Sequence, residues 1–300
     1  MKTLNLGVIG LSEGNGHPYS WSAIFNGYNP EFMRNCPFPV IHDYLSKQKF
    51  PQDSIKEAKV THIWTQDRAI SEQIAKACYI ENIANNFEDL IGKVDAVLLA
   101  RDDAELHYKF SAPFLKAGIP VYIDKPLSYD VKTAEEIYSL EQYPNQIFTC
   151  SALAYAKEFQ LSKEDLDSLG TIKYIDACVM KGWKNYSVHI IDPVLKIMGN
   201  PGKIKDIKII DLGKQRRVIV FWESGIVTSF FTSGDLASPI RICLFGSKGF
   251  REVVFKDSFF AFKSALQHFI DVVLKRNSAQ PKESVLNIIE IIERGGGNLG

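Results

Sequence analysis

The stretch GVIGLSEGNGHPYSW (Gly7–Trp21) closes an apolar run on Gly10, turns through several glycines and then takes up a helical pattern. A strand, a tight glycine turn and a helix bring backbone N–H groups and the positive end of a helix dipole to one spot, which suits a diphosphate. The spacing departs from the usual G-x-G-x-x-G. Ser12 stands where a second glycine is expected, and the glycines return only at Gly14 and Gly16, on either side of Asn15. Gly10 permits the tight turn, and Ser12 leaves room for phosphates while adding a hydroxyl donor. Gly14, Asn15 and Gly16 tolerate positive φ, so a bulged loop still delivers N–H groups. His17 either donates to a bound nucleotide or closes the turn. Pro18 suits a first helical turn. The alternative reading of the whole stretch is a purely structural glycine turn.

Working outward, residues 4–10, 59–65, 94–100 and 119–124 are short apolar runs, separated by helical patterns such as 69–78 and 104–118. That alternation predicts a parallel sheet with helices on both faces, and strands apolar throughout are those buried on both sides. Between Gly27 and Lys59 the pattern is interrupted by an irregular segment. A helix is expected near 42–49, broken on either side by Pro37, Pro39 and Pro51. Such an insertion beside a nucleotide loop is either functional or a surface excursion packed by its own Phe and Tyr residues. After residue 150 strand patterns dominate, at 171–183, 203–212, 216–222, 225–234, 239–246 and 251–256, and two helical patterns follow at 259–276 and 284–295. These predict a second, α+β domain. The final GGGNLG reads as a frayed tail.

With 35 basic and 35 acidic residues the net charge is zero, and no basic block or arm suggests a nucleic-acid partner. No stretch approaches the ~20 consecutive apolar residues of a membrane span. The apolar run at the N-terminus is too short for a secretory leader. Five scattered cysteines without CxxC spacing predict free thiols in a reducing cytoplasm. Asp102, Asp103 and His107 cluster hard and borderline metal ligands but read better in other roles, no other grouping has zinc or calcium spacing, and no metal is expected.

The end of the second strand should set cofactor choice. Asp67 is suited to ribose hydroxyls and hence NAD, whereas Thr65 and Arg68 are suited to the 2′-phosphate of NADP. Asp67 can equally cap the helix that follows. Asp102 followed by Glu105 reads as a capping box. The sharpest signal is AGIPVYIDKPLS (117–128), a buried strand ending in Asp124, Lys125 and Pro126. A lysine at the carboxyl edge of a parallel sheet is placed for acid–base work.

Three segments carry a family resemblance beside the glycine loop. VDAVLLARDDAELH (94–107) is a strand, loop and helix start ending in His107. AGIPVYIDKPLS is similar to a lysine-proline motif. HIIDPVLKIMG (189–199) is similar to a helix led by His-x-x-Asp. With the closing helices, the chain over almost its whole length resembles the Gfo/Idh/MocA family of NAD(P)-dependent oxidoreductases. The resemblance implies an α/β architecture: a Rossmann domain with a doubly wound parallel sheet over 1–125, and an α/β domain over 126–300 for substrate and oligomerisation. The open, mostly antiparallel sheet of the second domain implies a homo-oligomer, dimer or tetramer.

The same resemblance makes Lys125 the catalytic lysine, with a bond to Pro126 that is often cis, and His189 the second acid–base group. Asn185 stands where the family commonly has Asp, so it orients by hydrogen bonds without negative charge. Asp124 replaces the usual Glu and reaches one methylene less toward the nicotinamide ribose. His107 is expected near the nicotinamide. Arg101 and Asp102 join it at the cofactor edge. Asp192 reads as a helix-orienting group. Tyr155, Lys157 and Trp183, with Lys184, are the substrate-binding candidates, and Trp64 and Trp222 read as core. The implied reaction is hydride transfer between NAD or NADP and a secondary alcohol or ketone of a sugar, inositol or nucleotide-sugar, a small-molecule substrate. The departures at 124 and 185 keep two other readings open: a non-catalytic nicotinamide-binding regulator, and a lyase or glycosidase that retains its NAD.

Overall fold

The computed structural model describes residues 3–297 of the chain, so Met1, Lys2 and the last three residues of the glycine-rich tail lie outside the described residues. Two contact units emerge. One comprises residues up to 127 with 135–149 and 262–279; the other comprises 128–134, 150–261 and 280 onward.

The first unit holds six strands: β1 (Leu4–Ile9), β2 (Ala58–Trp64), β3 (Asn82–Ile83), β4 (Ala96–Leu99), β5 (Val121–Ile123) and β6 (Ile147–Phe148). They pair in the order β3-β2-β1-β4-β5-β6, every pair parallel. The long apolar runs predicted as strands are present; β3 and β6, two residues each, are too short for their pattern to show in sequence. Every residue of β4 is buried, as is each of Leu6, Val8 and Ile9 in β1, which is the signature of strands covered on both faces. The strand order reverses between β1 and β4. The loops leaving their carboxyl ends, 10–16 and 100–106, therefore flank the crevice where such sheets bind ligands.

Helix α1 (His17–Asn26) follows β1, with Pro18 in its first turn as expected. The 27–59 segment is ordered into α2 (Pro30–Met33) and α3 (Pro39–Leu45). The helix expected at 42–49 thus begins earlier. Pro39 sits in its first turn, where the missing N–H would be unpaired anyway, so it starts the helix instead of breaking it. Next come α4 (Arg68–Ala77) and α5 (His107–Lys116), the latter preceded by a 3₁₀ turn over Ala104–Leu106, then α6 (Val131–Tyr138).

The second unit contains α7 (Lys163–Leu169), β7 (Ile172–Val179), α8 (Trp183–Tyr186), α9 (Val188–Met198) and strands β8 (Ile204–Leu212), β9 (Gln215–Trp222), β10 (Val227–Thr232), β11 (Arg241–Gly246) and β12 (Phe250–Val254). The sheet order is β12-β11-β7-β10-β9-β8, antiparallel except between β7 and β10. The chain closes with α10 (Ser258–Val273) and α11 (Lys282–Gly296). Trp222 is core, as expected, and its indole donates to Thr228. All five cysteines are buried and none forms a disulfide. Among the described residues no helix is long and apolar enough to cross a membrane.

The tail is not frayed at its start. Gly295 and Gly296 are buried in the last turn of α11, and a Cβ on Gly295 would lie 2.4 Å from the Trp183 ring. The absent side chain is what lets the indole lie on the helix. We predict that Gly295→Ala overpacks this contact and costs about 1–3 kcal/mol. Thermal unfolding followed by circular dichroism should show a lowered midpoint; an unchanged one would refute the packing account.

Candidate functional site

The glycine loop is held from three directions in the first unit. Gln66, just past β2, accepts the Leu11 N–H at 3.0 Å and donates to the Leu11 carbonyl at 2.6 Å. Ser12 donates its hydroxyl to Asp102 Oδ1 at 2.6 Å and accepts the Asp102 backbone N–H at 3.0 Å. Asn15 donates from Nδ2 to Asp124 Oδ2 at 2.9 Å and accepts the His17 N–H at 2.7 Å. Ser12 and Asn15, expected to face phosphates, are thus turned onto two carboxylates. His17 closes the turn: its Nδ1 lies 2.5 Å from Asp124 Oδ2, and its ring stacks on Trp21 with centroids 4.9 Å apart. The glycines serve close approach. A Cβ on Gly10 would meet Pro18 at 2.3 Å, one on Gly16 would meet Ile41 at 2.4 Å, and Gly14 takes φ 75° with nothing nearby. The ordered 27–59 segment therefore packs directly against the loop, through Phe38 and Ile41.

Lys125 leaves the carboxyl end of β5 almost completely buried, and its Nζ lies 3.1 Å from Asp102 Oδ2. Burial pushes the Asp102 carboxyl up, but the Lys125 ammonium and the Ser12 hydroxyl outweigh it, and the group is held below the usual carboxylate range. This corrects the capping-box reading. The Asp102 side chain faces Ser12 and Lys125, and the 3₁₀ turn that follows has Asp103 at its N-cap. The Lys125–Pro126 bond is cis. Asp124 is 1 % exposed and gathers the Lys125 N–H, Asn15 and His17, so its carboxylate is committed inside the protein. The His107 ring is fully buried, with Nδ1 3.0 Å from the Leu127 carbonyl and Nε2 2.7 Å from the Arg101 carbonyl, so it staples two loops. The Arg101 guanidinium lies over the Phe110 ring, pairs with Asp103 and reaches Gln66 at 3.1 Å.

A cleft of about 530 Å³ opens at the ends of β2 and β3, lined by Trp64, Thr65, Gln66, Arg68, Ser71, Ala84 and Asn85. Asp67 caps α4 by accepting the Ala69 N–H at 2.8 Å. Thr65 donates to the Asp67 carbonyl at 2.6 Å. The Arg68 guanidinium stands at the rim, 3.2 Å from Asn85 Oδ1. Trp64, read as core, is a half-buried wall of this cleft. Gln66 and Asn85 were missed by sequence reasoning. The one signal for Gln66 was its place directly after a strand.

In the second unit His189 lies on α9, with Nδ1 2.9 Å from Ser151 Oγ and its ring edge-on to Tyr186. Asp192, one turn on, accepts the Ser151 N–H at 2.6 Å and ties the helix to that turn, in keeping with its expected orienting role. Burial pushes its carboxyl up to about 6, against the pull of the Ser151 N–H, Lys196 and Gln280. Asn185 accepts the Tyr129 hydroxyl at 2.8 Å. Tyr155 lies under the Lys196 ammonium, 3.3 Å from the ring centre, while Lys157 pairs with Asp257 at 2.7 Å. The Trp183 indole is buried and donates to the Ile292 carbonyl at 2.9 Å, and the residue also lines a cavity in this unit. Among the described residues no three His, Cys, Asp or Glu side chains are grouped to hold a metal.

Residues 44–151 match the model of the Gfo/Idh/MocA group, described as an oxidoreductase family with an NAD-binding Rossmann fold. This bears out the resemblance read from the motifs, and with it the oxidoreductase class and NAD. None of the curated proteins matches the chain in sequence. Among solved structures, a probable dehydrogenase from Thermotoga maritima superposes with TM-score 0.75 at 16% identity, over 99% of this chain and 96% of that one. The myo-inositol 2-dehydrogenase of Lactobacillus plantarum gives 0.74 at 15%, over 98% and 96%. GenD2 of gentamicin A biosynthesis, solved with NAD, gives 0.73 at 13%, over 99% and 95%. At these identities the likeness shows a shared fold.

The raised Asp192 carboxyl carries a stability consequence. Its folded value lies above the unfolded one of 3.8. The folded state therefore binds the extra proton, and stability falls as pH rises from about 4 through about 6. A shift of that size corresponds to ~3 kcal/mol at neutral pH. Denaturant titrations across this window should show the loss in the wild type and a flattened profile in Asp192→Asn; identical slopes would refute it.

Proposed function

With residues 44–151 in an oxidoreductase family that binds NAD, we propose that the chain exchanges hydride between nicotinamide and a secondary alcohol or ketone of a sugar, an inositol or a nucleotide-sugar. The observation that carries this reading is Lys125, a buried lysine at the carboxyl end of β5 with Asp102 at 3.1 Å.

The residues fit the cofactor. The cleft at the ends of β2 and β3 is of a size and polarity for an adenosine, and the loop from Gly10 to Gly16 lies at the reversal point of the sheet, before the N-terminus of α1. Gln66, Thr65 and Arg68 would hold the adenosine end and the Gly10–Gly16 backbone the phosphates. Asp67 is engaged as a helix cap, so a preference for NAD over NADP would not come from its carboxylate. Arg68 at the rim is the group that would admit a 2′-phosphate. When bound, NAD supplies the hydride acceptor.

The chain's own residues handle the proton. Lys125 takes the proton of the reacting hydroxyl as hydride leaves, or returns it in the reverse direction, which avoids a free alkoxide. Asp102 keeps the ammonium in place and, through Ser12, ties it to the cofactor loop. In the second unit, Nε2 is the His189 nitrogen assigned to proton work, because Ser151 engages Nδ1. Asn185 is oriented by Tyr129. We also propose a cytoplasmic homo-oligomer, a dimer or tetramer, associating through the apolar side chains exposed on the second sheet, such as Ile210, Leu212 and Phe250. Light scattering tests that state.

The assay is nicotinamide reduction against a panel of inositols, sugars and nucleotide-sugars, with NAD and NADP compared. Lys125→Met should lower kcat by about 10²–10⁴-fold, the usual contribution of one positioned acid–base group. NAD affinity, measured alongside, should fall far less than kcat, the remaining loss reflecting the tie from Lys125 through Asp102 and Ser12 to the cofactor loop. Tight NAD binding without turnover of any substrate would favour the regulatory reading. NAD recycled without net reduction would favour the lyase or glycosidase.

A further inference from the structure

His17 opens α1 directly after the glycine loop, and its imidazole is fixed on three sides. Nδ1 lies 2.5 Å from Asp124 Oδ2, one face stacks on Trp21 with centroids 4.9 Å apart, and Phe262 makes an edge contact at 5.1 Å. Trp21 is itself 1 % exposed and stacked on Tyr122, so the support is rigid. Nε2 is the other polar atom of the ring. It has no partner among the described residues, and it is not sealed from solvent, the side chain being 16 % exposed. Closing the turn uses Nδ1 alone. A second nitrogen is thus held in a fixed direction beside the crevice without a task.

The donors around Asp124 set the tautomer. Oδ1 accepts the Lys125 N–H at 2.8 Å, and Oδ2 accepts Asn15 Nδ2 at 2.9 Å. The Asn15 carbonyl takes the His17 N–H, so this amide offers Asp124 only its amino group. A carboxylate so engaged is an acceptor, and the hydrogen between it and the ring sits on Nδ1. In the neutral ring Nε2 is then an acceptor, which answers a hydroxyl; a diphosphate brings acceptors only. A dinucleotide lies across the reversal point of the sheet in two halves. With adenosine in the cleft at the ends of β2 and β3, the other half runs past β1 toward β4 and β5. Asp124, at the carboxyl end of β5, anchors His17 on that side, while its own carboxylate is buried and fully occupied.

We propose that His17 Nε2 accepts a hydroxyl of the ribose in the nicotinamide half of the cofactor, with Asp124 acting through the ring and not on the sugar. The carboxylate polarises the imidazole through Nδ1–H and strengthens Nε2 as an acceptor. Trp21 fixes the angle, so little rotamer freedom is lost on binding. The contact rests on the dehydrogenase reading, in which NAD lies in this crevice, and it sets where the nicotinamide stands relative to the lysine that follows Asp124.

Calorimetric titration reads the contact without turnover, with ADP-ribose, which carries the second ribose, and with ADP, which carries the diphosphate without it. The wild type is compared with His17→Asn and His17→Gln. An asparagine amide stands where Nδ1 stands and keeps the bond to Asp124, but offers nothing at Nε2. A glutamine amide reaches the Nε2 position and gives up the bond to Asp124. ADP-ribose affinity should fall about three- to tenfold in His17→Asn, the scale of one hydrogen bond, and be recovered in part in His17→Gln. ADP affinity should be unchanged in His17→Asn. Thermal unfolding should rank the variants the other way, with His17→Asn closer to the wild type. A parallel loss of ADP and ADP-ribose assigns the ring to the diphosphate and overturns the proposal. Full ADP-ribose affinity in His17→Asn also overturns it, as do losses that merely follow the unfolding midpoints. ADP-ribose binding that depends on His17, without turnover of any substrate, upholds the contact and removes the hydride-transfer reading. Turnover with an ADP-ribose affinity indifferent to His17 does the reverse, and no ADP-ribose binding by the wild type removes both.

Discussion

A buried carboxylate and a half-buried one hold the first unit's crevice together. Asp102 and Asp124 leave the loops after β4 and β5, and a charge withdrawn from water must be met by donors or it is strongly destabilising. Asp102 finds Ser12 and Lys125; Asp124 finds Asn15, His17 and a backbone N–H. The irregular glycine loop owes its shape to these demands. Its side chains satisfy the acids, and in return it is fastened to the strand ends that present the lysine. The position of Lys125 and the course of the loop are one arrangement, so a change at either should be felt at the other.

A comparable logic runs through the second unit. Ser151 meets His189 with its hydroxyl and Asp192 with its backbone N–H. One residue thereby orients the imidazole and anchors the helix that carries it. Asp192 remains a poorly solvated carboxyl, and Lys196, whose charge acts on it, is itself partly desolvated and lies over Tyr155. Such poorly solvated groups cluster where proteins do chemistry as well as where they pack.

Much of the architecture was legible because it follows from local patterning. The unbroken apolar runs of β1 and β4 announced a doubly covered parallel sheet, and the succession of strand patterns after residue 150 announced the second sheet. The errors were also local in origin. Pro39 was read as a breaker when its place in the first turn made it a starter. The final glycines were read as loose when Trp183 required Gly295 without a side chain. At the site, residue types were legible and partnerships were not. Lys125 could be found from its motif, but nothing in a linear pattern joins Ser12 to Asp102 or Asn15 to Asp124, which are 90 and 109 residues apart. For the same reason Asp102 was mistaken for a cap.

The contact of Gly16 with Phe38 and Ile41 bears on how such a loop can be moved or inherited. The glycine is a socket for two side chains that belong to the 27–59 segment. Transplanting residues 10–16 alone onto another parallel sheet would carry the socket without its plug. A protein engineer should treat the loop and residues 37–45 as a single cassette, and drift in a lineage should exchange them together.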